Sequence, residues 1–320
     1  MEFIPNNELY EWVLDAIELE KKNRVYQTEF ARLNLTYTIT SKRVLRSLVE
    51  SGVVEGFDDP RLATLAGLRR RGIPSSSIVE FIHSIGVAKV NSFVDIEILE
   101  ACIRRVLDHE ARRVMCVLDP IKVILTNLDD DNDDNRLQIP NHPKRPELGE
   151  RHVKFGREIY IEREDFQYEE NAPKKFKRLT SNPNRSVRLR GAGMIRVLDV
   201  IENENGDITE LHCEHHFERV KDFPKPKAVV HWVCAVSCDE VDLNLYESLF
   251  TCKDPMSAIS QGDLNDVLNP NSKIRLENCK IESGPHGNET LQFERVGYFK
   301  YDPTDSAYNR TITLRSSSNF

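Results

Sequence analysis

The sequence predicts an α+β protein: an N-terminal helical part over residues 1–110, followed over 111–320 by two antiparallel β-barrels between which the chain can cross. Three observations predict it. Apolar residues recur near every 3.6 positions up to Ala111 and every second position beyond it. β-Branched residues and turn formers take over at the same place. The many short strand-like runs that follow would expose many sheet edges unless the sheets closed on themselves. A chain of 320 residues also exceeds what one core comfortably holds, roughly 250 to 300 residues.

The helical faces come first. In LYEWVLDAI, Leu9, Trp12, Val13 and Ile17 share a face, with Asn6 or Asn7 as N-cap. Leu45, Leu48 and Val49 form a second face. Ile78, Phe81 and Ile82 form a third after the cap candidate Ser75, and Ile96, Leu99, Cys102, Ile103 and Val106 a fourth. Asp58-Asp59-Pro60 precedes one helix and Gly72-Ile73-Pro74 follows it. Thr36–Thr40 alternates like a strand and delivers Ser41 and Lys42 to a helix start, where a cation opposes the helix dipole and stands either by accident or for use. The strand candidates are VMCVLD, KVILTNL, EIYIER, SVRLRGAGMIRVLDVI, ITELHCEHH, AVVHWVCAVS, KIRLENCKIE, TLQFERVGYFKYD and RTITLR, with Asn205-Gly206 as a tight hairpin turn.

Composition narrows the class. Apolar content of 39% with 30% charged residues describes a globular chain, and no apolar run approaches the roughly 20 residues that span a bilayer. The start of the chain lacks the basic and apolar character of a secretory signal, so the seven cysteines read as reduced thiols of a cytoplasmic protein. A net charge of −8 argues against indiscriminate adhesion to nucleic acid. One window departs from it: Lys174, Lys175, Lys177, Arg178, Arg185, Arg188, Arg190 and Arg196 meet no acidic residue, with Phe176 among them, which suits RNA or another polyanion.

Other patterns carry less. The acidic run Asp129–Asp134 lacks the glycine and final glutamate of a calcium loop and reads as a hairpin tip. His212, Cys213, His215 and His216 alternate across a strand with no second ligand pair at zinc spacing, so no metal is expected. Cys234 and Cys238 fit one face of a strand as small core residues. Arg69, Arg70 and Arg71 complement a helix C-terminus and suit a phosphate ridge as well. No phosphate loop, HxGH stretch or nucleophile–base pair is present.

In order, ELYEWVLDAI, EFARLNLTYTITSKRVL, GFDDPRLATLAGLRRRGI, LEACIRRVL, ARRVMCVLDPIKV, PNHPKRPELGERHVKFGREIYIEREDF, HWV and LQFERVGYF resemble glutaminyl-tRNA synthetase across essentially the whole chain. The glutamyl enzymes of archaea and eukaryotes share the DDPR and RRRG segments, whereas LEACIRRVLDHEARRVMCVLDP follows the glutaminyl pattern more closely. A stand-alone RNA-binding or assembly module is the competing reading from another class.

The resemblance implies that Thr40-Ser41-Lys42 matches the family's MSK loop, Thr40 standing where methionine is usual. Lys42 and Ser41 would then serve the ATP phosphates as glutamine is activated, with Mg²⁺, in the full-length enzyme. The family's HxGH-bearing nucleotide fold has no counterpart in this sequence, so the resemblance implies an excised or truncated piece. Negligible glutamine activation is expected of it, with no cofactor bound and the Ser41 loop mobile. What remains implies tRNA(Gln) as partner, and neither membrane nor DNA. Residue by residue, Arg113, Gln292 and Arg295 fall on the family's anticodon contacts, as do Lys177, Arg178 and Arg188 of the basic window. Lys175 replaces a glutamine and suits a phosphate, and Arg69, Arg70 and Arg71 are placed against the tRNA backbone.

Overall fold

The computed structural model describes residues 4–89, 91, 93–129 and 135–314. Of the acidic run Asp129–Asp134, read above as a hairpin tip, residues 130–134 lie outside them, as does Arg315 of the last strand candidate.

Among the described residues the N-terminal part forms α1 (Asn7–Ala16), α2 (Lys42–Glu50), α3 (Leu65–Arg71), α4 (Ser75–Ile85) and α5 (Ile96–Glu110). A small parallel pair, β1 (Asn34–Leu35) and β2 (Phe93–Val94), lies between them in sequence. Helix α5 buries Leu99, Cys102, Ile103 and Leu107 against Phe81 of α4, and α2 buries Val44, Leu45 and Leu48. Helix α3 ends where Gly72 turns left-handed at φ 96° and the amides of Gly72 and Ile73 return to the carbonyls of Arg69 and Leu68. A Cβ there would come within 2.6 Å of the Lys300 Cβ, so only glycine lets α3 lie on the neighbouring sheet.

Two local readings need correction. Helix α1 exists, but its Leu9, Trp12, Val13 and Ile17 face outward, and Leu14 is the buried residue. Amphipathic spacing identifies a helix and cannot by itself say what covers its apolar face. The alternating Thr36–Thr40 run is not a strand. Tyr37 takes φ 58° and its amide turns to the carbonyl of Lys253, which ends pairing after Leu35.

Beyond α5 the strands are β3 (Arg113–Val114), β4 (Cys116–Val117), β5 (Pro120–Leu125), β6 (Arg136–Pro140), β7 (Glu150–Lys154), β8 (Glu158–Glu162), β9 (Phe166–Gln167) and β10 (Leu179–Thr180). They continue as β11 (Val187–Leu189), β12 (Met194–Glu202), β13 (Ile208–His216), β14 (Val229–Val230), β15 (Val233–Cys234) and β16 (Cys238–Tyr246). After α6 (Pro255–Gln261) come β17 (Lys273–Glu282), β18 (Leu291–Phe293), β19 (Gly297–Asp302) and β20 (Ala307–Thr313). Cys234 and Cys238 thus belong to different strands, parted by the turn at Ser237.

Two seven-stranded sheets result. One runs β14-β11-β12-β13-β5-β8-β15, and the other β3-β18-β19-β20-β16-β17-β4. Each has its own core, the first around Phe155, Ile159, Leu211 and Trp232, the second around Leu243, Ile281, Phe293 and Phe299. The sheets are mixed rather than purely antiparallel: β13 with β5, β11 with β14, β16 with β20 and β18 with β3 pair in parallel. Hairpins such as β12–β13, turning at Gly206 with φ 83°, supply the antiparallel pairs, and strands returning from distant segments supply the parallel ones.

The chain crosses between the sheets after β4, and Glu162 holds that crossover. Its carboxylate accepts from the amides of Leu118 and Asp119 at 2.9 and 3.1 Å. It crosses back after β15, and the segment from Leu249 to Leu268, with α6, packs on α2 and Val54.

Candidate nucleic-acid interface

Four of the six anticodon candidates, Arg113, Gln292, Arg295 and Arg178, form two linked pairs; Lys177 and Arg188 lie apart from them. Strand β3 lies parallel to β18 with Arg113 opposite Gln292, the Gln292 amide bonding the Arg112 carbonyl at 2.9 Å. Gln292 is almost fully buried, its side-chain amide 3.4 Å from the Tyr298 hydroxyl. Among the described residues the Arg113 guanidinium reaches Asp108, at 3.4 Å, and its buried Nε has no hydrogen-bond partner.

Three residues beyond Gln292 the β18–β19 hairpin turns at Arg295, left-handed at φ 68°. That turn aims the guanidinium at Asp165, a carboxylate with no exposed surface, in two bonds of 2.8 and 2.6 Å. The Arg178 Nε lies 3.1 Å from the same carboxylate, and its Nη1 donates to Glu164 at 2.8 Å. Burial alone would lower the Arg295 pKa, but the Asp165 hydrogen bonds and charge raise it, so the guanidinium stays charged. Asp165 thus joins Arg178 of one sheet region to Arg295 of the other. Both arginines are already held, and one carboxylate fixes their spacing.

The seam holds more charge than sequence reading found. Arg190 meets Glu294 at 2.7 Å, and Arg151 bonds the buried Glu282. Burial pushes the Glu282 carboxyl up, with Arg151 opposing it. Glu282 and Glu294 lie on β17 and just beyond β18, so these pairs also cross between sheets. Arg190 sits in the basic window, and only its partner, far away in the chain, marks it as a seam residue.

The remaining candidates divide by whether they are already engaged. Lys174, Lys175 and Lys177 are exposed, with no carboxylate partner among the described residues, and so is Arg188 on β11. In the Arg69–Arg71 triplet, only Arg69 is exposed. Arg70 pairs with Asp302 at 2.7 Å and Asp305 at 2.9 Å. Arg71 donates to the carbonyls of Tyr246, Arg310 and Thr311 and lies over the Tyr246 ring. As a phosphate ridge the triplet therefore reduces to Arg69, because the other two fasten α3 to β16, β19 and β20.

Lys42 opens α2, exposed and without a carboxylate partner among the described residues. Ser41 is the N-cap residue, but its side chain makes no capping bond. Thr40 and Ser41 line a cavity of about 390 Å³ together with Arg32, Asn34 and Asp254. Hydroxyls and an arginine among the lining residues are polar groups that a phosphate ester can use, whereas the Asp254 carboxylate opposes one; Lys42 is not among the lining residues.

The histidine strand is structural: His215 is buried, its Nε2 2.6 Å from the Ala192 carbonyl. No cluster of metal-ligating side chains occurs among the described residues. No helix there is long and apolar enough to cross a membrane.

Comparison with known proteins identifies the family. The family model for the catalytic domain of class I tRNA synthetases (E and Q) matches residues 1–109, and two for their anticodon-binding domain match 111–216 and 229–302. The glutamine–tRNA ligase of Psychromonas ingrahamii is 43% identical over 99% of this chain and 58% of its own length. Those of Bradyrhizobium diazoefficiens and Ectopseudomonas mendocina are 42% and 44% identical over 57% and 58% of theirs. The chain therefore spans a little over half the length of these relatives. It belongs to the class I tRNA synthetases of the glutamyl and glutaminyl (E and Q) family.

Proposed function

We propose that this chain is the tRNA-gripping part of a glutamine–tRNA ligase and that it reads the anticodon of tRNA(Gln) in the cytoplasm. The observation that carries the reading is the convergence at the seam: Arg113 beside Gln292 on paired strands, with Arg178 and Arg295 on one buried carboxylate. A single-stranded loop offers unstacked bases with open hydrogen-bonding edges, and rigid guanidinium and amide groups are the side chains that read them. The paired strands keep Arg113 and Gln292 in register, while Asp165 prevents Arg178 and Arg295 from wandering. Lys177 and Arg188 add further anticodon contacts, and Lys174 and Lys175 supply charge for the phosphates.

In this reading the two seven-stranded sheets are two barrels that clasp the loop, spanning residues 111–320, and α1 to α5 form the helical unit along the inside of the tRNA. Arg69 is its phosphate contact. Glutamine, ATP and Mg²⁺ belong to the whole ligase, where ATP supplies the activated phosphate. Of this chain, Ser41 and Lys42 would face that phosphate, Thr40 would pack beside it, and Lys42 would hold positive charge near the departing oxygens.

Competition binding tests the reading. Unlabelled tRNA(Gln) should displace labelled tRNA(Gln) from the chain more effectively than the same tRNA with a scrambled anticodon. Equal displacement would remove the anticodon assignment. A pyrophosphate-exchange assay on this chain alone should show no glutamine-dependent turnover.

A further inference from the structure

The segment FPKPK, Phe223–Lys227, runs beside β11 and has no part in the seam. The Lys227 amide bonds the Ser186 carbonyl at 3.3 Å, the Arg188 amide bonds the Ala228 carbonyl at 2.9 Å, and Arg188 then pairs with Val229 in parallel register. The Ser186 hydroxyl anchors the start of the segment by donating to the Pro224 carbonyl at 2.6 Å. Extended backbone sends alternate residues to opposite faces. Lys225, Lys227 and Val229 are exposed, whereas Pro226 and Ala228 are partly covered and Val230 is buried. Both lysines therefore share the outer face with Arg188, about 6.6 Å apart along the strand.

Two further features fix them there. Pro224 and Pro226 hold the segment's φ angles, so little backbone freedom is lost when a ligand binds. Phe223 is buried under Arg196, whose guanidinium carbon lies 5.2 Å from the ring centre. Arg188, Arg219, Lys225 and Lys227 line one cavity of about 330 Å³ whose wall carries no carboxylate. None of the four has a carboxylate partner among the described residues, in contrast to Arg151, Arg178, Arg190 and Arg295 at the seam.

From this juxtaposition we propose that Lys225 and Lys227, with Arg219 and beside Arg188, form a rigid cationic rail that binds the phosphodiester backbone of the bound RNA, as a contact separate from the seam at Asp165. The inference rests on the RNA-binding reading and assigns to it a contact of a different kind. The rail adds affinity without reading sequence, since phosphates are alike at every position.

The test is a salt titration of tRNA(Gln) binding to the full chain and to Lys225→Gln/Lys227→Gln, with circular dichroism and thermal melting to show that both exposed replacements leave the fold intact. The double variant should lose affinity on the order of tenfold at low salt, and its log–log salt slope should become shallower by about 1.4, two single-strand contacts at about 0.7 each. Its preference for the cognate over a scrambled anticodon should match the parent's. An unchanged slope overturns the proposal. So does a loss of anticodon preference with no change in slope. A parent that binds tRNA in a salt-dependent way without anticodon preference sinks the anticodon reading and leaves the rail to be judged by its slope. A parent that does not bind RNA sinks both.

Discussion

Arg113 and Gln292 stand opposite one another on adjacent parallel strands, although they lie near opposite ends of the β region. The pairing places the Arg113 guanidinium, whose buried Nε has no partner among the described residues, beside the buried Gln292 amide, and guanidinium and amide are the group types that read base edges. Arg113→Ala and Gln292→Ala should each cost about 1 to 3 kcal/mol in binding of cognate tRNA and flatten discrimination at one anticodon position. Filter binding against single-base anticodon variants reads both effects. If the two substitutions relax different positions, the register pair does not act as one reader.

Arg295 and Arg178 share Asp165, and this sharing makes distinct predictions for each partner. Asp165→Asn keeps the shape but removes the charge that holds two arginines. It should loosen anticodon discrimination while leaving the salt slope near the parent's, because no phosphate contact is lost. Arg295→Ala leaves Asp165 with Arg178 alone and should lower stability by about 1 to 3 kcal/mol in urea unfolding, together with discrimination. Unchanged discrimination in both variants would confine Asp165 to a structural role.

The arginine triplet separates charge from function. Arg71→Ala removes the guanidinium's bonds to the Arg310, Thr311 and Tyr246 carbonyls, of which only Tyr246's keeps a second guanidinium donor, Arg310, and should cost about 3 kcal/mol in chemical unfolding. Arg69→Ala should leave stability within about 0.5 kcal/mol and make the salt slope shallower. Equal destabilisation by both would contradict the division made here.

Acid should weaken the fold through three buried carboxylates. Burial pushes Asp59, Glu162 and Asp302 up, but hydrogen bonds from Arg61, from His231 with the Leu118 and Asp119 amides, and from Arg70 with Thr304 and Asn309 outweigh it. All three lie below their ordinary values. A carboxyl depressed on folding contributes stability that is complete above its unfolded pKa and fades as pH falls through the folded one. Melting temperature should therefore drop as pH descends from about 4.5. Asp302→Asn should already be less stable at pH 7 and show a smaller further loss down to pH 3. An acid loss as large as the parent's would place the sensitivity elsewhere.

Much of this protein follows from local chemistry. The change of period at Ala111 separates helices from strands because side-chain direction repeats with backbone geometry. ITELHCEHH and KIRLENCKIE are strands over their whole length, and α3 ends at the glycine that permits a left-handed turn. Strands β6, β7 and β16 passed unread because proline, histidine and acidic residues interrupt their alternation. The charged groups were legible as types and not as roles. Arg69, Arg70 and Arg71 are identical in sequence, yet one faces solvent while two are consumed by β16, β19 and β20. Likewise Arg190 and Arg188 are two positions apart, one bound to Glu294 and the other open beside Lys227. Periodicity reports which face a residue occupies; whether its charge is neutralised depends on partners brought near by strand register and sheet contact, and only the tertiary structure decides those.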